Sequence, residues 1–261
     1  MCLALIARDA HHELVLIIAA NRDEFHDRAS ESARFWSQPE NLLAGRDTVA
    51  GGTWLGVARD GRFALVTNFH EPGVNRTDAP SRGRLPLDFL AGHIPAGRYA
   101  TKLAAVANRF NGFNLILGDR SEALCLSNRD TRPLRKIAPN GVHGLGNRLL
   151  DSREPKLDTA RGRFAGLLDL PADGLETALF ELLADRTTHG PDDDSPDHPW
   201  REALSAIFVT APGYGTRCST LFLLTRDGAA TFIERRFDAD GEAIGETREQ
   251  WQIDGDGKPD P

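Results

Sequence analysis

Strand-like and helix-like stretches come in separate blocks along this chain, and the order of those blocks limits the fold more than any other feature. Apolar strand-like runs cover Cys2 to Ala7 and Leu14 to Ala20, with polar Asp9 to Glu13 between them as in a hairpin. A second pair, Trp54 to Ala58 and Arg62 to Asn68, flanks an Asp60-Gly61 turn. Helical spacing then takes over, first at Leu85, Phe89 and Leu90, and again at Leu103, Val106, Ala107 and Phe110. Strands return at Phe113 to Leu117, Ala123 to Leu126 and Leu134 to Ile137. Two more helices are expected, from Lys156 to Leu168 and from Leu175 to Asp185. Three strands follow, Ala206 to Thr210, Thr220 to Thr225 and Ala230 to Phe237. Blocks of this kind predict an α+β fold, because alternating βαβ units would interleave the two periods. Two mainly antiparallel sheets enclosed by helices, a four-layer αββα sandwich, would use every segment.

The remaining stretches read as connections. Residues 26 to 53 look irregular, and Phe69 to Gly83 is a polar loop long enough to be a lid or a binding loop. Gly141 to Asp151 is glycine-rich and backbone-permissive, and acidic Gly190 to Pro199 reads as a mobile loop. No repeat or composition shift marks a boundary, so residues 1–254 are expected to form a single domain, with 255–261 as a disordered tail.

With 261 residues the chain can bury roughly 70 to 75% of its unfolded surface, so its core needs no metal or disulfide staple. Three cysteines without a C-x-x-C pair argue for a reducing compartment and against zinc, and the eight histidines hold no H-E-x-x-H pattern. The net charge of -7 argues against a nucleic-acid partner. The N-terminus lacks a secretory leader, and no apolar run approaches the roughly 20 residues that span a bilayer. The expectation is a soluble, cytoplasmic protein.

Chemistry is concentrated at short polar groups near strand ends. Cys2 directly follows the initiator and is small enough for methionine removal, which would give one residue both a thiol and a free α-amine. Their ordinary pKa values, about 8.5 and about 7.7, let the amine accept the thiol proton near neutral pH. If the first two strands pair antiparallel, Asn21-Arg22-Asp23-Glu24 lies near the end that holds Cys2. Asp23 could then orient the amine, and Arg217 could favour the thiolate. Asn68 and Asn147 could donate to the oxyanion formed when a carbonyl is attacked. Arg22 and Asp23 are neighbours on a strand and point to opposite faces unless the strand bulges, so Arg22 is either a structural ion-pair former or a catalytic group. His11 and His12 fall in an expected exposed turn, and Cys125 is expected in the core. His70 and His143 flank Asn68 and Asn147 and could reach the same pocket.

Taken together, these segments resemble the NRDE family, whose animal members are called transport and Golgi organisation protein 2. The resemblance rests on MCLALIA, NRDEF at 21–25, AGGTWLG at 50–56, LVTNF at 65–69, SRGRL at 81–85, FNGFNLILGD at 110–119, GLGNRLLD at 144–151 and SAIFVTAPGYGTRCSTLFLL at 205–224. That family is similar in turn to N-terminal-nucleophile (Ntn) cysteine hydrolases of the choloylglycine hydrolase and penicillin V acylase type, which fold as αββα sandwiches. The resemblance implies Cys2 as nucleophile, Asp23 beside the amine, Asn68 and Asn147 at the oxyanion, and Arg217 as the late arginine. In those hydrolases the arginine and aspartate are separated, whereas here Arg22 directly precedes Asp23. Two functions follow as expectations. One is hydrolysis of an amide or thioester in a small acyl substrate, without a cofactor or metal. The other is a carrier of an amphipathic ligand, implied by the family's links to haem trafficking and to lipid and acyl-coenzyme A metabolism, with Cys2, His70 or His143 as haem ligands.

Overall fold

The computed structural model describes residues 3–71, 73–190 and 199–253. Cys2 lies outside them, as do the expected tail and nearly all of the expected 190–199 loop. In chain order the elements are β1 (Leu3–Arg8), β2 (Leu14–Phe25), β3 (Ser30–Phe35), β4 (Leu42–Asp47), β5 (Leu55–Ala58), β6 (Phe63–Asn68), α1 (Arg84–Ala91) and α2 (Ala96–Ala104). A short 3-10 turn at Ala107–Arg109 leads to β7 (Phe113–Gly118), β8 (Ala123–Ser127), β9 (Leu134–Lys136) and β10 (Gly141–Leu145). Next come α3 (Pro155–Leu167), α4 (Ala172–Leu183), α5 (Arg201–Leu204), β11 (Thr210–Ala211), β12 (Tyr214–Thr225), β13 (Ala229–Phe237) and β14 (Ala243–Gln252).

The strands form two antiparallel sheets. The first has the order β10-β1-β2-β12-β13-β14, with β11 paired to β12, and the second runs β3 through β9 in sequence order. The alternation of β1 shows how the layers arise. Ala4 and Ile6 pack between the two sheets with Phe63, Leu65, Phe222 and Phe232, while Leu3, Leu5 and Ala7 pack under α3 and α4 with Phe164 and Leu179. A third cluster joins the outer face of the second sheet to α1 and α2 through Val66, Leu115, Phe89 and Leu103. Three apolar layers between four layers of structure make the expected αββα sandwich. No helix among the described residues is long and apolar enough to cross a membrane.

Several segments depart from the sequence reading. Two strands, β3 and β4, occupy the stretch read as irregular; β3 is an edge strand with largely half-exposed polar positions, so no apolar period marks it. β10 and β14 are edge strands too, one glycine-bearing and one charged, and both were hidden for the same reason. The expected helix through Phe110 stops at Ala104 and continues only as the 3-10 turn. The expected strand from Ala206 to Thr210 is reduced to β11. His11, expected in an exposed turn, is buried: its Nδ1 accepts from the Glu13 and Leu14 amides, and its Nε2 faces the Leu170 carbonyl at 2.8 Å.

Candidate active site

The strand β2 passes between β1 and β12 and carries its polar residues on alternate faces. Leu3, the residue after Cys2, pairs with Asn21, so the polar end of β2 begins where β1 begins. Asn21 faces the helix layer. Its amide nitrogen donates to the Leu183 and Ile207 carbonyls at 2.8 and 2.9 Å, and its oxygen accepts from Ser219 Oγ at 2.6 Å. Asp23, two residues on and 2% exposed, takes the Thr216 hydroxyl on Oδ1 at 2.7 Å. Arg22 points the other way, between the sheets, and is 3% exposed with its guanidinium 4.3 Å from the centre of the Trp54 ring. Gly45 makes room for that ring, since a Cβ there would stand 2.3 Å from Trp54 Cζ2. Among the described residues, neither Arg22 Nη1 nor Trp54 Nε1 has a hydrogen-bond partner.

The register explains how Arg22 and Asp23 are both engaged from β12. Thr216 pairs with Asp23 and Cys218 with Arg22, which leaves Arg217 as the extra residue of a bulge. The bulge therefore lies in β12, and β2 keeps Arg22 and Asp23 on opposite faces, as neighbours on a regular strand stand. Arg217 turns its Nη1 onto the Phe25, His26 and Arg28 carbonyls at 2.8, 3.2 and 3.3 Å and ties down the turn after β2. Burial and the neighbouring Arg22 charge pull its guanidinium below the usual arginine range. Beside Cys218 in the inter-sheet layer lies Glu234, whose Oε1 accepts the Ala33 amide at 2.7 Å. Burial pushes the Glu234 carboxyl up, and burial together with Glu234 pushes the Cys218 thiol up.

The two asparagines meet at the same end of the sandwich. Leu145 pairs with Ala4, so Asn147 lies two residues past the pairing, beyond the start of β1. Asn147 Nδ2 donates to the Asn68 carbonyl at 2.8 Å, and the His70 amide donates to the Asn147 carbonyl at 2.7 Å. Asn114 Nδ2, held near Thr67, adds a bond to the Arg148 carbonyl at 2.8 Å. Through these contacts the loop after β10 in the first sheet is fastened to the ends of β6 and β7 in the second. The Asn68 contribution comes from its backbone, and its side chain is exposed.

Other expected residues lie apart. His143 sits opposite Ile6, three residues along β1 from Leu3, with Nδ1 2.7 Å from Asp151 Oδ2. Burial opposes ionisation of Asp151, yet bonds from His143, the Gly144 amide and Arg161 outweigh it and hold the carboxyl below the usual range. His70 is exposed at the start of the 69–83 loop. That loop has no helix or strand among its described residues and is pinned by the Arg76–Asn111 pair and the Glu71–Arg129 ion pair. Cys125 is core, as expected. Sequence reasoning did not assign roles to Asn21, Trp54 or Thr216; the motifs AGGTWLG and GYGTRCST were the available signal. Gly52 of AGGTWLG and Gly83 of SRGRL have a packing reason, since a Cβ on Gly52 would lie 2.3 Å from the Gly83 carbonyl carbon.

Over residues 1–239 the sequence matches the family described as Transport and Golgi organisation 2. A Transport and Golgi organization protein 2 homolog from Bos taurus is 36% identical over 238 residues, covering 84% of this chain and 86% of that one. The Homo sapiens homolog is 35% identical over 237 residues with the same coverage. Among solved structures, a Caenorhabditis elegans ortholog of N-acylethanolamine-hydrolyzing acid amidase has a TM-score of 0.48 and 10% identity, covering 85% of this chain and 92% of that one. A variant of conjugated bile acid hydrolase from Clostridium perfringens has a TM-score of 0.49 and 10% identity, covering 97% of each. Likenesses at that level carry no chemistry to this chain. The family match and the relatives over most of their length are sufficient: the chain belongs to the Transport and Golgi organisation 2 family.

Proposed function

We propose that the protein is an N-terminal-nucleophile cysteine hydrolase that cleaves an amide, or a thioester, through an acyl-Cys2 intermediate. One observation carries the reading. Leu3, the sequence neighbour of Cys2, pairs with Asn21, two residues from a buried Asp23 whose carboxylate is already oriented by a hydroxyl. An amine next to that carboxylate would be held for proton transfer rather than left to rotate in water. The thiol proton passes to the α-amine as sulfur bonds to the substrate carbonyl carbon. The carbon–nitrogen bond then breaks, and the leaving amine takes the proton. Water attacks the resulting thioester and gives a proton to the Cys2 α-amine, the carbon–sulfur bond breaks, the sulfur takes that proton back as the thiol, and the carboxylic acid departs.

The other groups have roles that follow from their surroundings. Among the described residues Arg22 Nη1 has no partner in the layer between the sheets, where a cation favours a nearby thiolate. Asn147 uses one amide hydrogen on the Asn68 carbonyl, which leaves its second hydrogen as an oxyanion donor fixed in direction. Arg217 acts through the turn that it braces.

The test is covalent. Mass spectrometry of the purified chain is expected to find Met1 absent and an acylating ester adduct on Cys2, with no adduct on Cys2→Ala. A chain that lacks Met1 and takes no adduct at Cys2 overturns the proposal.

A further inference from the structure

We propose that Thr216 is a positioning residue for Asp23, holding Oδ1 so that the carboxylate keeps one orientation toward the amine at residue 2. The inference rests on the acyl-Cys2 reading and adds to it a residue outside the reacting groups.

The geometry leaves Thr216 little choice. It is 1% exposed. Its hydroxyl oxygen accepts the Val209 amide at 2.9 Å, so its single hydrogen is directed elsewhere, and Asp23 Oδ1 stands 2.7 Å away. Asp23 Oδ1 accepts that hydrogen, so this oxygen is committed to the hydroxyl. The Thr216 backbone is fixed as well, since its amide donates to the Val209 carbonyl at 2.8 Å. Val209 belongs to a braced segment: the Ile207 carbonyl accepts from Asn21, and the Phe208 amide donates to the Asp185 carbonyl at 2.8 Å. The bulge at Arg217 completes the arrangement, because without the extra residue Thr216 and Cys218 could not stand opposite adjacent Asp23 and Arg22.

Ser219 supplies the control. It makes the same kind of bond, 2.6 Å to Asn21 Oδ1, from the same strand, and the partner carries no charge. A Thr216 whose role is only to satisfy a buried acceptor would behave as Ser219 does.

The experiment compares Thr216→Val, Thr216→Ser and Ser219→Ala in the full chain with Met1 removed. The first readout is the rate at which an activated ester acylates Cys2. Thr216→Val is expected to lose about tenfold, the scale of one hydrogen bond to a charged group, with the ester concentration at half-maximal rate unchanged. Thr216→Ser is expected within about twofold of the parent, and Ser219→Ala to label normally at a lowered unfolding midpoint. The second readout is the carbon-13 resonance of the Asp23 carboxyl, which needs no reaction. It is expected to move in Thr216→Val, return in Thr216→Ser and stay in Ser219→Ala. Should the parent chain take no acyl group, the hydrolase reading fails while the Asp23 resonance still decides the positioning. An Asp23 signal or acylation rate unaltered in Thr216→Val, or altered equally in Ser219→Ala, overturns the proposal.

Discussion

Asn147 reaches from the first sheet to the second and donates its side-chain amide to the backbone carbonyl of Asn68 at 2.8 Å. The bond makes the two asparagines unequal. Asn147→Ala removes both the bridge and the second amide hydrogen proposed for the oxyanion, and is expected to slow acylation of Cys2 by about a hundredfold, near 3 kcal/mol. Asn68→Ala keeps the carbonyl that aims Asn147, so its loss is expected to be at least tenfold smaller. Single-turnover acylation of both variants measures the difference, and equal losses would contradict it.

Asn21 is expected to matter for stability. Replacing it with alanine strands the Leu183 and Ile207 carbonyls and the Ser219 hydroxyl in the interior. The cost is expected at about 2 to 4 kcal/mol, read as a lowered urea midpoint with unchanged slope.

Cys125 and Cys218 are both sealed in the interior. Burial pushes Cys125 up to about 12 and raises Cys218 as well, so neither forms thiolate near neutral pH. A thiol reagent is expected to modify Cys2 in the native protein and to reach Cys125 and Cys218 only after denaturation. Rapid modification of all three in the folded state would show that these sulfurs are not sealed.

Asp151 gives the fold an acid dependence of known sign. Its folded pKa is depressed below the unfolded value of about 3.9, so the ionised form is the one the fold prefers. The contribution is present above the unfolded value and is lost as pH falls through the folded one. Asp151→Asn is therefore expected to lower stability at neutral pH and to flatten the decline below about pH 4. Urea midpoints between about pH 3 and 7 measure it, and parallel curves for parent and variant would remove Asp151 from the account.

His11 locks the β1–β2 hairpin to the helix layer. Two backbone amides point at its Nδ1, and its Nε2 faces the Leu170 carbonyl. His11→Ala is expected to cost about 2 kcal/mol and to speed amide exchange at Glu13 and Leu14, while His12→Ala, at an exposed side chain, is expected to change neither.

The amino-acid sequence alone determined which runs are buried and on what period, and with that the two hairpins, the paired sheets and the helices that cover them. Periodicity is a local property: Leu14 to Ala20 alternates toward two cores in any fold that buries both faces. It also carried the motifs Asn21-Arg22-Asp23 and Gly146-Asn147, hence the residues of the candidate site. Strands with little apolar alternation, β3, β10 and β14, were settled only by hydrogen-bonding to a neighbour already in place. The same holds for function. That Thr216 rather than Arg217 meets Asp23 depends on one unpaired residue in β12, and that Asn147 takes the Asn68 backbone depends on how closely two sheets approach. Both are contacts between residues far apart in sequence, set by register and packing distance, which no local pattern records.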